Sequence, residues 1–89
     1  MKAILTVIGK DKVGIIAGVS QRLASEGINI LDVSQTIMDN YFTMMMMIDV
    51  SRAQGSFSDI QRSLKELGES LEVKISVQRE DIFNTMHKL

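Results

Sequence analysis

The residues best placed for chemistry are Gly9-Lys10-Asp11-Lys12-Val13-Gly14. They form a polar, glycine-bracketed turn between the apolar segment Met1 to Ile8 and a helical pattern that begins at Ile15-Ile16-Ala17-Gly18-Val19. The start of a helix leaves backbone N–H groups unsatisfied and pointing outward, which suits an anionic or hydrogen-bonding ligand. The G-x-x-x-x-G spacing is that of a phosphate loop, but that motif continues Lys-Ser/Thr and this chain continues Ile15-Ile16. Nucleotide binding is therefore not expected. A turn that uses glycine only for its backbone geometry explains the same residues equally well.

Other reactive groups are isolated. His87 is the sole histidine and lies in the C-terminal tail, where fraying makes it a poor base. Asp32, Asp39 and Asp49 fall on or near predicted strands without metal-ligand spacing. Ser20 and Ser34 have neither a surrounding motif nor a companion base. Cysteine is absent, which excludes a disulfide framework, a thiol nucleophile and Cys-ligated zinc. No catalytic constellation is visible, and a non-enzymatic role without metal or cofactor is expected.

The run Met44-Met45-Met46-Met47 alternates across a predicted strand. Met44 and Met46 read as core, for which flexible thioethers suit. Met45 and Met47 face the other way and are either covered by the C-terminal tail or offered to a protein partner.

Composition bounds the alternatives. Eighty-nine residues support one hydrophobic core, so residues 1–89 are expected to form a single domain, marginal enough to gain from dimerisation. Hydrophobic residues make up 45% and charged residues 24%, which argues against disorder. The ten basic residues are scattered and the net charge is −1, so nucleic acid is not expected as a partner. No signal-peptide pattern and no apolar run of about 18 residues is present, so neither membrane insertion nor export is expected and a cytoplasmic location is the default.

The elements that must position these residues follow from periodicity. Ala3 to Ile8 reads as a strand apolar on both faces, hence central. Gly14 to Glu26 reads as a helix on Ile16, Val19 and Leu23, widened by Ile15 and ended by Gly27. Ile28 to Met38 is a strand whose apolar parity changes, which predicts a bulge near Leu31-Asp32. Asp39-Asn40 makes the hairpin into Tyr41 to Val50, where Phe42, Met44, Met46, Ile48 and Val50 share a face. Ser56 with Asp59 predicts the capped start of a second helix, ended by Gly68. Leu71 to Gln78 alternates as a strand with one wet face, and about 79–89 reads as a short tail helix on Ile82, Phe83, Met86 and Leu89. The order β-α-β-β-α-β predicts an α+β, ferredoxin-like sandwich: a four-stranded antiparallel sheet with two helices on one face, plus the tail helix. Both crossovers are expected to be right-handed.

Fold alone does not define function. A copper carrier of this shape needs a cysteine pair in the first loop, an RNA binder needs aromatics on the central strands, and an acyl-phosphate hydrolase needs an arginine in that loop. There is no cysteine, the first strand has no aromatic and the third only Tyr41 and Phe42 at its start, and the loop offers Lys10 and Lys12 instead of arginine.

Two segments in combination, Ile4 to Ala17 and Gly27 to Thr36, resemble the ACT domain, a small regulatory module that often binds amino acids. Asp39 to Met44 and Ile82 to Met86 extend the likeness over essentially the whole chain. It is most similar to short stand-alone ACT proteins of the UPF0237 type, and it also resembles the N-terminal ACT domains of formyltetrahydrofolate deformylases and of the glycine-cleavage regulator. The resemblance implies a side-by-side homodimer with an eight-stranded sheet. It also implies a ligand, an amino acid, between the first turn of one subunit and strand two of its neighbour. Asp11, Gly14 and Asn29 occupy the matching positions, flanked by Lys10, Val13, Ile15 and Ile30 as further candidate contacts. An α-carboxylate there would meet N–H groups near Gly14 and Ile15, and an α-ammonium would meet Asn29 and Asp11. Val13 stands where the family often has proline, which removes a fixed φ from the turn. ACT domains usually regulate an attached enzyme and none is expected in these 89 residues, so the resemblance implies a regulated protein met in trans or a role of simply binding and sensing. The alternative is a module that docks protein through Met45 and Met47 without a small ligand.

Overall fold

The computed structural model describes the backbone of residues 1–10 and 13–86, with side chains as far as residue 84. Four strands, β1 (Lys2–Lys10), β2 (Asn29–Met38), β3 (Tyr41–Asp49) and β4 (Val73–Arg79), form one sheet in the order β2-β3-β1-β4. Every neighbouring pair is antiparallel. Helices α1 (Ile15–Ser25) and α2 (Phe57–Leu71) supply the second layer, and α3 (Glu80–Met86) follows β4. This is the expected ferredoxin-like architecture with β1 and β3 central.

The core is built by period-two and period-3.6 patterns meeting face to face. Ala3, Leu5 and Val7 of β1, Phe42, Met44, Met46 and Ile48 of β3, and Val73, Ile75 and Val77 of β4 are buried on one side of the sheet. Ile15, Val19 and Leu23 of α1 and Ile60, Leu64 and Leu67 of α2 close over them. Ile16, expected on the buried stripe of α1, is 43% exposed, and Ile15 takes the inward position. Across the outer surface of the helices, the Arg22 guanidinium donates to the Ser63 carbonyl at 2.9 Å and hydroxyl at 2.8 Å. The Ser63 hydroxyl in turn donates to Glu26 at 2.5 Å. This polar clip joins α1 to α2.

Local signals place the boundaries. Helix α1 closes with Gly27 at φ 74°, the N–H of Ile28 donating to Leu23 O and that of Gly27 to Ala24 O. That is the two-bond ending a left-handed C′ residue permits. The register of β2 against β3 shifts between Ile30 and Asp32, so the predicted bulge is present at Leu31. Asp39 makes the hairpin with φ 60°. Ser56 caps α2 reciprocally with Asp59: the Asp59 N–H donates to the Ser56 hydroxyl at 3.2 Å and the Ser56 N–H to the Asp59 carboxylate at 3.0 Å.

Helix α2 does not end at Gly68. It continues to Leu71 and stops at Glu72, itself at φ 60°. Gly68 is a contact glycine instead: a Cβ there would stand 2.8 Å from the Val73 carbonyl oxygen and 3.1 Å from Ile75 Cγ1. Leu71 accordingly belongs to the helix, and β4 begins at Val73.

The tail helix packs against β1 and β4. Ile82 stays 47% exposed and Phe83 is half-buried. The predicted tail residues His87 and Leu89 and the Met86 side chain lie outside what is described.

Candidate functional site

Strand β1 delivers the first turn at one end of the sheet. Lys10, its last residue, is exposed and pairs with Tyr41. Asp11, the expected polar ligand of the turn, lies outside the described residues, as does Lys12. Val13 is fully exposed. Gly14 is the N-cap of α1 at φ 93°, a left-handed conformation that disfavours any side chain. Among the described residues no atom comes within 4 Å of where its Cβ would be, and no side chain caps the helix. The first intrahelical bond runs from Gly18 N–H to Gly14 O at 2.8 Å. The N–H groups of Ile15, Ile16 and Ala17 therefore have no acceptor within the helix. The Ile15 side chain points the other way, into the core, so only its backbone faces this space.

Asn29 stands elsewhere. It opens β2 and pairs with Asp49, which pairs with Lys2. Lys2 and Lys10 are the two ends of β1, about 26 Å apart at the rise of a strand. Gly14 and Asn29 are thus at opposite ends of the sheet, and one subunit cannot bring them together. Ile30, next along, is half-buried against the core rather than facing an open site.

Around Asn29 the structure builds a groove of about 490 Å³, lined by Ala24, Gly27, Ile28, Asn29, Asp49, Ser51 and Arg52. That is a volume typical of small-molecule sites. The end of α1 forms one wall and the turn after β3 the other. They approach closely enough that a Cβ on Gly27 would stand 3.1 Å from the Arg52 carbonyl oxygen. Asp49 Oδ1 accepts from the Ser51 N–H at 2.9 Å and from the Ser51 hydroxyl at 2.6 Å. The Met1 amine donates to the Ser51 hydroxyl and lies 3.6 Å from Asp49 Oδ1. The Ser51 hydroxyl, then its backbone N–H, hold the Asp49 carboxyl below the usual carboxylate range. Sequence reasoning passed over Arg52 and Asp49 as a dispersed base and an unplaced acid. Their neighbourhood with Asn29 arises only from the Asn29–Asp49 strand pairing, which no local spacing announces.

The second face of the sheet carries Met45 and Met47. Met45 is 39% exposed and Met47 half-buried, beside a shallow depression of about 190 Å³ shared with Ile4, Asp32, Val33, Ser34 and Met46. Among the described residues, no three His, Cys, Asp or Glu side chains gather as a metal would require. No described helix is long and apolar enough to cross a membrane. What these surfaces offer chemically is recognition: open helix-start donors, a polar groove and a methionine face.

Strand order and helix placement define a small ferredoxin-like module. A family model for the ACT domain matches residues 2–78, and the chain belongs to that family. Within it the chain falls in the UPF0237 group, and the family is generally one of small regulatory modules. It is 63% identical to a UPF0237 protein of Listeria monocytogenes over 89 residues, the full length of both. It is 48% identical to a UPF0237 protein of Methanocaldococcus jannaschii over 88 residues, covering 99% of this chain and 98% of that one. The solved structure of an ACT domain protein from Streptococcus pneumoniae superposes with a TM-score of 0.83 at 48% identity, covering 93% of each chain.

Proposed function

We propose that this chain is a cytoplasmic homodimer that binds an amino acid between the Gly14 turn of one protomer and Asn29 of the other, and reports the binding to a protein in trans. The observation that carries this reading is the pairing of a free edge with a divided site. Strand β2 is the sheet edge on the side away from β4. On its helix side Val33 is 45% and Ile37 56% exposed, with Ile16 of α1 also uncovered. An exposed edge with apolar side chains is a template for another strand. A second copy paired antiparallel across β2 forms a continuous eight-stranded sheet. Two-fold symmetry then sets the Asn29 end of each copy beside the Gly14 end of the other. The ligand's carboxylate meets the open N–H groups of Ile15 and Ile16, and its ammonium meets the Asn29 amide oxygen.

A thermal-shift screen of the amino acids at millimolar concentration tests this. A ligand that binds only the folded state at 100 times its Kd adds about 2.7 kcal/mol of stability. No shift with any amino acid overturns the reading. For a ligand that does shift the midpoint, Asn29→Ala and Gly14→Ala are each expected to abolish the effect while the dimer persists. Because Gly14 sits at φ 93°, Asn29→Ala at an exposed position keeps the test free of backbone strain.

The depression beside Met45 and Met47 favours a second reading, a protein-docking face that needs no small ligand. Met45→Lys with Met47→Lys separates the two, since it spares the amino-acid response and removes only the docking of a partner.

A further inference from the structure

The groove around Asn29 holds more polar chemistry than an amino acid's backbone groups need. Arg52 lines it, and the Arg52 side chain makes no hydrogen bond or ion pair among the described residues. Asp49 accepts from Ser51 through Oδ1, with the Met1 amine 3.6 Å from the same oxygen, and Oδ2 has no bond among the described residues. The Asn29 amide is likewise unengaged. The residues that line it therefore include a cation with a planar two-pronged donor set. Beside it stand a fixed carboxylate oxygen and an amide that can donate or accept.

These groups sort by charge. An ammonium is matched by Asp49 Oδ2 and the Asn29 amide oxygen. A carboxylate is matched by Arg52, whose fork fits both carboxylate oxygens at once. Resting on the reading above, the α-carboxylate is already taken by the helix-start N–H groups contributed by the other protomer. Arg52 then remains for a second carboxylate on the same ligand.

We infer that the site is built for an acidic amino acid, with Arg52 receiving the side-chain carboxylate and Asp49 and Asn29 the α-ammonium. Neutral isosteres lose one charge-assisted contact and leave the arginine unmatched. The groove's volume accommodates the added length, because it extends beyond Asn29 along the turn after β3 to Ser51 and Arg52.

Titration calorimetry with L-glutamate, L-aspartate, L-glutamine and L-asparagine tests the assignment. One acid is expected to bind about ten-fold or more tighter than its amide, the scale of a charged hydrogen bond. Arg52→Gln is expected to erase that preference, and Arg52→Lys to restore only part of it, because the charge returns without the fork. Arg52 is exposed and its side chain unbonded among the described residues, so neither variant is expected to move the melting midpoint without ligand. An acid bound no tighter than its amide, or a preference that survives Arg52→Gln, overturns the acidic-ligand assignment and leaves the amino-acid site standing. Binding of none of the four, with a shift from some other amino acid in the thermal screen, also overturns only this assignment. A screen in which no amino acid acts overturns both.

Discussion

A methyl group at Gly68 would stand 2.8 Å from the Val73 carbonyl oxygen and 3.3 Å from the Ile75 nitrogen. Alanine in a helix interior ordinarily gains about 1 kcal/mol over glycine, but here the obstructing atoms are backbone of β4 and yield only by moving the helix. The clash outweighs the propensity, and Gly68→Ala is expected to cost about 1–3 kcal/mol net. A urea titration reads this directly, and an unchanged or raised midpoint sinks the close-packing argument. The same residue explains one misreading of the sequence. A glycine after Leu64 and Leu67 looks like a helix stop, and Leu71 fits both continuations, four residues past Leu67 and two before Val73. Only the approach of α2 to β4, which is tertiary, decides between them.

At the level of elements, α2 has a cap that responds to pH. The Ser56 N–H, and after it the Ser56 hydroxyl, hold the Asp59 carboxyl below its ordinary value. A carboxylate depressed by folding contributes stability that is fully present above its unfolded value, near pH 4. That contribution is lost as pH falls through the lower folded value. The acid-side loss of stability is therefore expected to shrink in Asp59→Asn, measured as the difference in melting midpoint between pH 7 and pH 3. An equal difference in both proteins removes the cap from the account. Ser56→Ala, which deletes the other half, is expected to cost about 1 kcal/mol. This cap was legible because it is a local spacing, Ser56 to Asp59. The bulge in β2 was legible for a similar reason, since apolar parity changes at Leu31 within one strand. The exposure of Val33 and Ile37 was not, because it depends on how far the two helices reach across the sheet, which no local pattern announces. Val33→Lys in that edge is expected to give a monomer by analytical ultracentrifugation with an unchanged far-UV spectrum. A dimer that persists places the interface elsewhere.

For the whole molecule, strand order was readable from the element sequence, because the two β-α-β crossovers leave β1 and β3 in the middle. The site was readable only in halves. Gly14 and Asn29 each stand in a recognisable segment, whereas Arg52 comes beside Asn29 only through the pairing of β2 with β3 and carries no motif of its own. The proposed dimer would also make the stability of so small a core a matter of concentration. The melting midpoint is expected to rise with protein concentration in the micromolar range, and a midpoint independent of dilution is the contrary result.

The separation of Gly14 from Asn29 along the sheet makes the two defects complementary. In the proposed dimer each site would draw its turn from one chain and its groove from the other. A Gly14→Ala homodimer lacks both sites, and so does an Asn29→Ala homodimer. When the two are unfolded together and refolded, about half of the dimers form from unlike chains, and two-fold pairing gives each of those one wholly unaltered site. Two inactive proteins refolded together in equal amounts are therefore expected to regain about a quarter of the original binding capacity, at the original affinity.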